Sequence, residues 1–125
     1  MQIQETMTLK KHTYTLNQNQ MEGALSIVTM PKSDLMTDSC AYLKWCMLQK
    51  DSLLLFIAII VNHREFKIRQ VACVILKNKV IELLNINPKE ICDSIKMYLI
   101  QALTNEANVN VRKAISELVI LIASY

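Results

Sequence analysis

The chain has 125 residues, 52% of them hydrophobic and 6% aromatic, with a net charge of +3; that is material for one domain with its own core. One Gly and two Pro are too few to punctuate a β sandwich with turns, so an all-α fold is expected. Lys and Arg are scattered, with Lys10-Lys11 and Arg112-Lys113 as the only adjacent pairs, which argues against a phosphate track and a nucleic-acid partner.

Residues 1–20 are rich in Gln, Thr and Asn without a helical period. They read as a disordered or poorly packed extension, leaving residues 21–125 as the domain. The first predicted helix covers residues 21–30 and stops at Pro31, because proline pushes its predecessor out of the α region. The second follows Ser33-Asp34, which can cap it, and carries Leu35, Met36, Cys40, Leu43, Met47 and Leu48 towards the core. Its partner starts at Asp51-Ser52 and includes the run 53–61, apolar all round as a helix buried between neighbours would be. The next helix is predicted over residues 65–84, with Ile68, Val71, Ala72, Ile75, Leu76 and Val80 on one face. Asn87-Pro88-Lys89-Glu90 then reads as a helix start. Asn87 caps, Pro88 sits where a missing N–H costs nothing, and Glu90 reaches back to the cap. That helix turns Ile91, Ile95, Leu99, Ala102 and Leu103 inward. Asn108 or Asn110 caps the last, whose inward face is Val111, Ala114, Ile115, Leu118, Val119 and Ile122. Six helices make three hairpins.

Two of these helices share a signature. Ile68-Arg69-Gln70-Val71-Ala72 and Val111-Arg112-Lys113-Ala114-Ile115 open alike, and 43 positions separate Arg69 from Arg112. A period of ~40–47 residues built from paired helices is the spacing of HEAT-type repeats. The expected architecture is an armadillo-like α-α superhelix of about three hairpins, a solenoid whose units stack because none buries its own apolar face. The last helix stays apolar through residues 118–122 with no polar capping unit, so a truncated product lacking a further repeat is expected.

The continuation of each signature is more specific than the Val-Arg type of pair that opens the second helix of HEAT repeats in general. Ile68-Arg69-Gln70-Val71-Ala72 followed by Leu76-Lys77-Asn78-Lys79-Val80 resembles the N-terminal region of importin-β superfamily transport receptors. So does Ile95-Lys96 with Leu99-Ile100-Gln101-Ala102-Leu103, Glu106, Val111-Arg112 and Ala114-Ile115-Ser116-Glu117-Leu118. Met30-Pro31-Lys32-Ser33-Asp34 leading into Tyr42-Leu43-Lys44 fits the first hairpin of those receptors. Within the superfamily, the branch importing histones and ribosomal proteins is the nearest in pattern. The resemblance covers residues 21–125 and is strongest from Ile68 onward. It departs in the first repeat, where Thr37 stands at a common Arg position and Trp45 and Cys46 replace polar residues. It implies a chain that binds the GTP-loaded GTPase Ran on a concave face formed by the second helix of each hairpin. Protein cargo and phenylalanine-glycine nucleoporins would be held mostly by later repeats, and the chain would work in cytoplasm and nucleus.

With Ile68 as the core direction and about 100° per residue, Gln70, Lys77 and Ile81 point away from the core, with Cys73 and Val74 alongside. The corresponding stripe of the last helix is Lys113, Ser116, Glu117 and Ile120. Gln70, Lys77, Ile81, Lys113, Glu117 and Ile120 form the expected Ran-binding set, and the resemblance places Lys77 where some members contact Ran. Exposed Ile81 and Ile120 would fit a mixed apolar–polar interface. Arg69 and Arg112 recur at one place in each unit, which suits a role in stacking. Asn78 reads as structural too, its amide binding the backbone of the following connection. Trp45 is expected in the core, and His63 in a solvated turn.

Other chemistries find little support. Cys40, Cys46, Cys73 and Cys92 form no C-x-x-C pair, and His12 and His63 stand at no ligand spacing, so neither zinc nor a redox motif is expected. Reduced thiols serving as small apolar residues in an intracellular protein are the expectation. Residues 1–20 hold no continuous apolar stretch of the secretory type. The first Arg is Arg64, unlike an Arg-rich mitochondrial presequence. The longest apolar run falls far short of the ~20 residues that cross a bilayer. No nucleophile stands with a base in a recognisable motif and no glycine-rich loop is present, so neither catalysis nor a cofactor is expected. The competing expectation is a generic HEAT scaffold or adaptor, which needs only the paired signature and apolar spacing.

Overall fold

The structure, a computed structural model, describes residues 14–30 and 33–125. Among them are seven α-helices and no strand, so the fold is all-α. The helices are α1 (Gln18–Val28), α2 (Met36–Cys46), α3 (Ser52–Asn62), α4 (Phe66–Lys77), α5 (Val80–Asn85), α6 (Lys89–Asn105) and α7 (Val109–Ala123). None of these helices is long and apolar enough to cross a membrane. The expectation of disorder over residues 1–13 lies outside the described residues, as do Pro31 and Lys32.

The apolar run becomes α3, which buries Leu53, Phe56, Ile57, Ile59 and Ile60 and packs against α1, α4, α5 and α6. Five such side chains stabilise by roughly 10 kcal/mol in gross terms, an upper bound before chain entropy is counted. Residues 63–65 link α3 to α4, and residues 106–108 link α6 to α7. Consecutive helices joined so tightly and packed together run antiparallel. α4 lies on α7 and α3 on α6, so these two pairs stack.

The first pair is arranged differently. α1 packs on both α3 and α4, and its Glu22 carboxylate lies 3.4 Å from the His63 imidazole in the α3–α4 turn. α2 packs on α1 and makes no comparable approach to α4. Tyr14 and Thr15 pack on α2 beside its contact with α1. The Tyr42 hydroxyl donates to the Thr15 carbonyl at 2.7 Å, and the Tyr14 ring stands 5.6 Å from Tyr42 and 5.5 Å from Trp45. Three hairpins stacked alike are therefore not what α1 and α2 form.

Local differences from the expected elements follow from the same packing. The first helix begins at Gln18, inside the segment expected to be poorly packed, because the Asn17 side chain accepts from the Gln20 N–H and caps it. Tyr42 and Cys46 take the buried positions of α2, while Leu35 and Leu48 are 55% and 71% exposed. The helix expected over 65–84 breaks. The N–H groups of Asn78 and Lys79 bond to carbonyls only three residues back, at Ile75 and Leu76. Lys79 then leaves helical geometry at φ −132°, ψ 4°. Val80, Leu83 and Leu84 are buried on the short α5 that follows. Asn87 does not cap α6; its amide donates to the carbonyls of Lys50 and Leu83 at 3.1 and 2.7 Å and ties α5 to the α2–α3 turn. Asn108 does cap α7, accepting from the N–H groups of Asn110 and Val111.

Cys46, Cys73 and Cys92 are buried and Cys40 half-buried. Burial pushes the Cys46 thiol up to about 11 and the Cys73 thiol up to about 12, and raises Cys92 as well. A thiol reacts as its thiolate, so alkylation of the native chain at neutral pH should modify Cys40 alone. The other three should react only in denaturant. Mass-mapped labelling of Cys46 or Cys73 as fast as Cys40 would overturn this packing.

Candidate protein-binding face

On α4 the buried arc runs through Ile68, Ala72, Leu76 and Cys73, with Val71 and Ile75 half-buried at its other edge. Its centre is displaced from Ile68 towards Arg69 and Cys73, because α7 and the turn before it pack on that flank. Cys73, expected beside the outward stripe, is therefore buried. Gln70, Val74 and Lys77 form the outward ridge, Gln70 half-buried and Val74 52% exposed. Ile81 leaves the set: the break before Val80 turns it against the core, where it is half-buried. On α7, Lys113 is exposed, Glu117 half-exposed, and Ile120 is 73% exposed.

Two of the expected contact residues pair with each other. The Lys77 ammonium donates to Glu117 Oε2 at 2.8 Å across the α4–α7 seam. That hydrogen bond, then the Lys77 and Lys113 charges, hold the Glu117 carboxyl below the usual carboxylate range. Both side chains are open to solvent, so salt screens the pair and its contribution to stability is small. The pairing has a faint signal in the sequence. A 43-residue translation of Lys77 lands on Ile120, and Glu117 stands one helical turn before it. The ridge thus carries Lys77, Lys113 and Glu117 as a cluster with one surplus positive charge, flanked by Val74 and Ile120.

Arg69 faces the other way. Its Nε and one terminal nitrogen donate to the two Glu106 oxygens at 2.9 Å each, and the other terminal nitrogen donates to the His63 carbonyl at 2.7 Å. Glu106 also accepts from the Asn108 N–H at 3.0 Å. The Arg69 and Glu106 side chains are only 15% and 7% exposed. One guanidinium thus clamps the turn of the α3–α4 pair to the turn of the α6–α7 pair. Burial alone would raise the Glu106 carboxyl, but the Arg69 hydrogen bonds, the Asn108 N–H and the Arg69 charge together hold it below its ordinary value. Sequence reasoning gave Glu106 no such role. Arg112 is exposed and has no ion pair among the described residues, and Asn78 is exposed with no side-chain hydrogen bond among them. The amide that ties one connection to the backbone of another is that of Asn87, which donates to the Lys50 carbonyl.

No cluster of three His, Cys, Asp or Glu side chains suited to a metal ion occurs among the described residues. Comparison of the chain with protein-family models, curated proteins and solved structures finds no match.

Arg69 and Arg112 should separate in a stability measurement. Arg69→Ala leaves the largely buried Glu106 carboxylate without its cation and should cost about 3 kcal/mol, lowering Tm by roughly 10 °C. Arg112→Ala should leave Tm nearly unchanged. Equal shifts in a thermal melt would contradict the assignment. Because the native Glu106 pKa is depressed, its stabilisation is complete above its ordinary value of 4.5 and shrinks as pH falls below it. It is gone once pH drops below the native pKa. Denaturant titrations should therefore show wild type losing its advantage over Glu106→Gln on acidification through this window.

Proposed function

We propose that the chain is a protein-interaction module of HEAT type, acting as the Ran-facing N-terminal part of a nuclear import receptor. The observation that carries this reading is the side-by-side packing of α4 and α7, the two helices that share the 43-residue signature. Stacking of like helices presents a continuous ridge rather than a pocket, and a ridge of this kind suits a protein partner. Gln70, Lys77, Lys113, Glu117 and Ile120 stand on it, and the sequence resemblance to importin-β receptors supplies Ran-GTP as the partner. Cargo and nucleoporins belong to other repeats in this reading, and the module shuttles between cytoplasm and nucleus. We assign it no catalytic role and no cofactor.

The Lys77–Glu117 pair favours a second reading, a HEAT scaffold or adaptor whose ridge charges satisfy each other. Calorimetric titration with Ran-GTP and Ran-GDP separates the two. The import reading expects preference for the GTP form and about a tenfold loss with Lys77→Glu. The charge swap Lys77→Glu/Glu117→Lys restores the internal pair, so it should not recover binding if the lysine meets the partner. Equal affinity for the two nucleotide forms would favour the scaffold, while full recovery by the swap would take Lys77 out of the contact set.

A further inference from the structure

Because α2 does not close on α4 as α7 does, a groove of about 760 Å³ remains between them, floored by Val28 at the end of α1. Its walls are apolar: Met36, Leu43 and Met47 on the α2 side, Val71 and Ile75 on α4. Leu48, largely exposed, stands at its edge. This size lies within the range of clefts that enclose a ligand, and grooves between helices commonly receive an apolar helix face. The polar lining is one-sided. Lys44 and Lys79 border the groove, no carboxylate is among the described residues that line it, and neither lysine has an ion pair among the described residues.

We propose that this groove docks an amphipathic helical segment of a partner protein whose apolar residues are flanked by carboxylates. The apolar walls supply burial, and Lys44 and Lys79, which have no ion pair among the described residues, select the sign of the flanking charge. An acidic flank gains two ion pairs at the rim, while a basic flank meets two like charges. The proposal does not rest on the Ran reading, since the groove lies between α2 and α4 and the ridge runs along α4 and α7.

Cys40 lines the groove and is the only cysteine of the four that is not buried, so its alkylation rate reports occupancy. The probes are two synthetic amphipathic helices with the same leucine face, one flanked by Glu and one by Lys, titrated into the full chain by fluorescence anisotropy. The Glu-flanked helix should bind, slow Cys40 alkylation at saturation, and weaken with added salt. The variant Lys44→Glu/Lys79→Glu should lose about tenfold affinity for it and gain affinity for the Lys-flanked helix. Both substitutions are at exposed positions, and circular dichroism checks that the fold survives them. Equal affinity for the two helices, or no binding of the Glu-flanked one, would overturn the proposal. So would an unchanged Cys40 rate at saturation. Protection of Cys40 that grows with chain concentration and needs no peptide would overturn it in favour of a second copy in the groove.

Discussion

A helix that is apolar around its circumference has to be covered on most sides, and α3 imposes that demand on its neighbours, leaving one stripe where Leu54 and Val61 are each 40% exposed. α1, α4, α5 and α6 each supply a wall. The demand accounts for the break after Lys77. α3 has 11 residues and α4 has 12, so the two antiparallel helices are matched in length. A straight continuation of α4 would carry Val80, Leu83 and Leu84 past the end of α3 into water. Turning at Asn78 and Lys79 lays α5 against α3 and buries all three. The turn leaves backbone groups of one helical turn with looser partners, a small cost beside three buried aliphatic side chains.

The two ion pairs that join the stacked helix pairs do different physical work. Arg69 and Glu106 are removed from water, so the desolvation cost has to be offset by geometry, and four hydrogen bonds to the two groups supply it. Breaking such a pair leaves a charge stranded. Lys77 and Glu117 keep their water, and opening that pair costs little. A surface meant to meet a partner is better built from the second kind, because its charges can be redirected without unfolding anything. A seam between stacked helix pairs is better built from the first kind.

Much of the helical order was legible in the sequence because the apolar positions keep a 3.6-residue period. α3, α6 and α7 lie close to where that period and the Asn108 cap place them. The break in the helix expected over 65–84 was not legible, since Val80, Leu83 and Leu84 stay in phase with Leu76 and no Gly or Pro marks the site. Ile81 was misplaced for that reason. Cys73 was misplaced because one helix can pack against two neighbours, which widens its buried arc and shifts the centre away from any single reference residue. The arrangement of α1 and α2 escaped because Tyr14, Thr15 and Asn17, which hold α2 and cap α1, look like part of a polar extension. Gln70, Lys77, Lys113, Glu117 and Ile120 remain together on one ridge, but the pairing of Lys77 with Glu117 needs the lateral register of two helices. A period alone does not give that register.

The 43-residue period relates α4 to α7 position by position, yet the same position has different surroundings in each. The flank of α4 that carries Arg69 and Cys73 faces α7, and both residues are largely or fully out of water. The matching flank of α7 carries Arg112 and Ser116, the first exposed and the second half-buried. Identity follows environment at the second position. A buried seam holds a thiol raised by desolvation, and the wetter flank holds a hydroxyl that water can satisfy. Arg is kept at the first position in both, and among the described residues only Arg69 has a carboxylate to meet. Stacking is thus written into α4 as a pair of residues, Arg69 and its partner Glu106 in the next turn, while on α7 the same Arg contributes a solvated charge. What turns a recurrent arginine into a clamp is the acidic turn that follows it by 37 residues, and the arginine alone does not encode the contact.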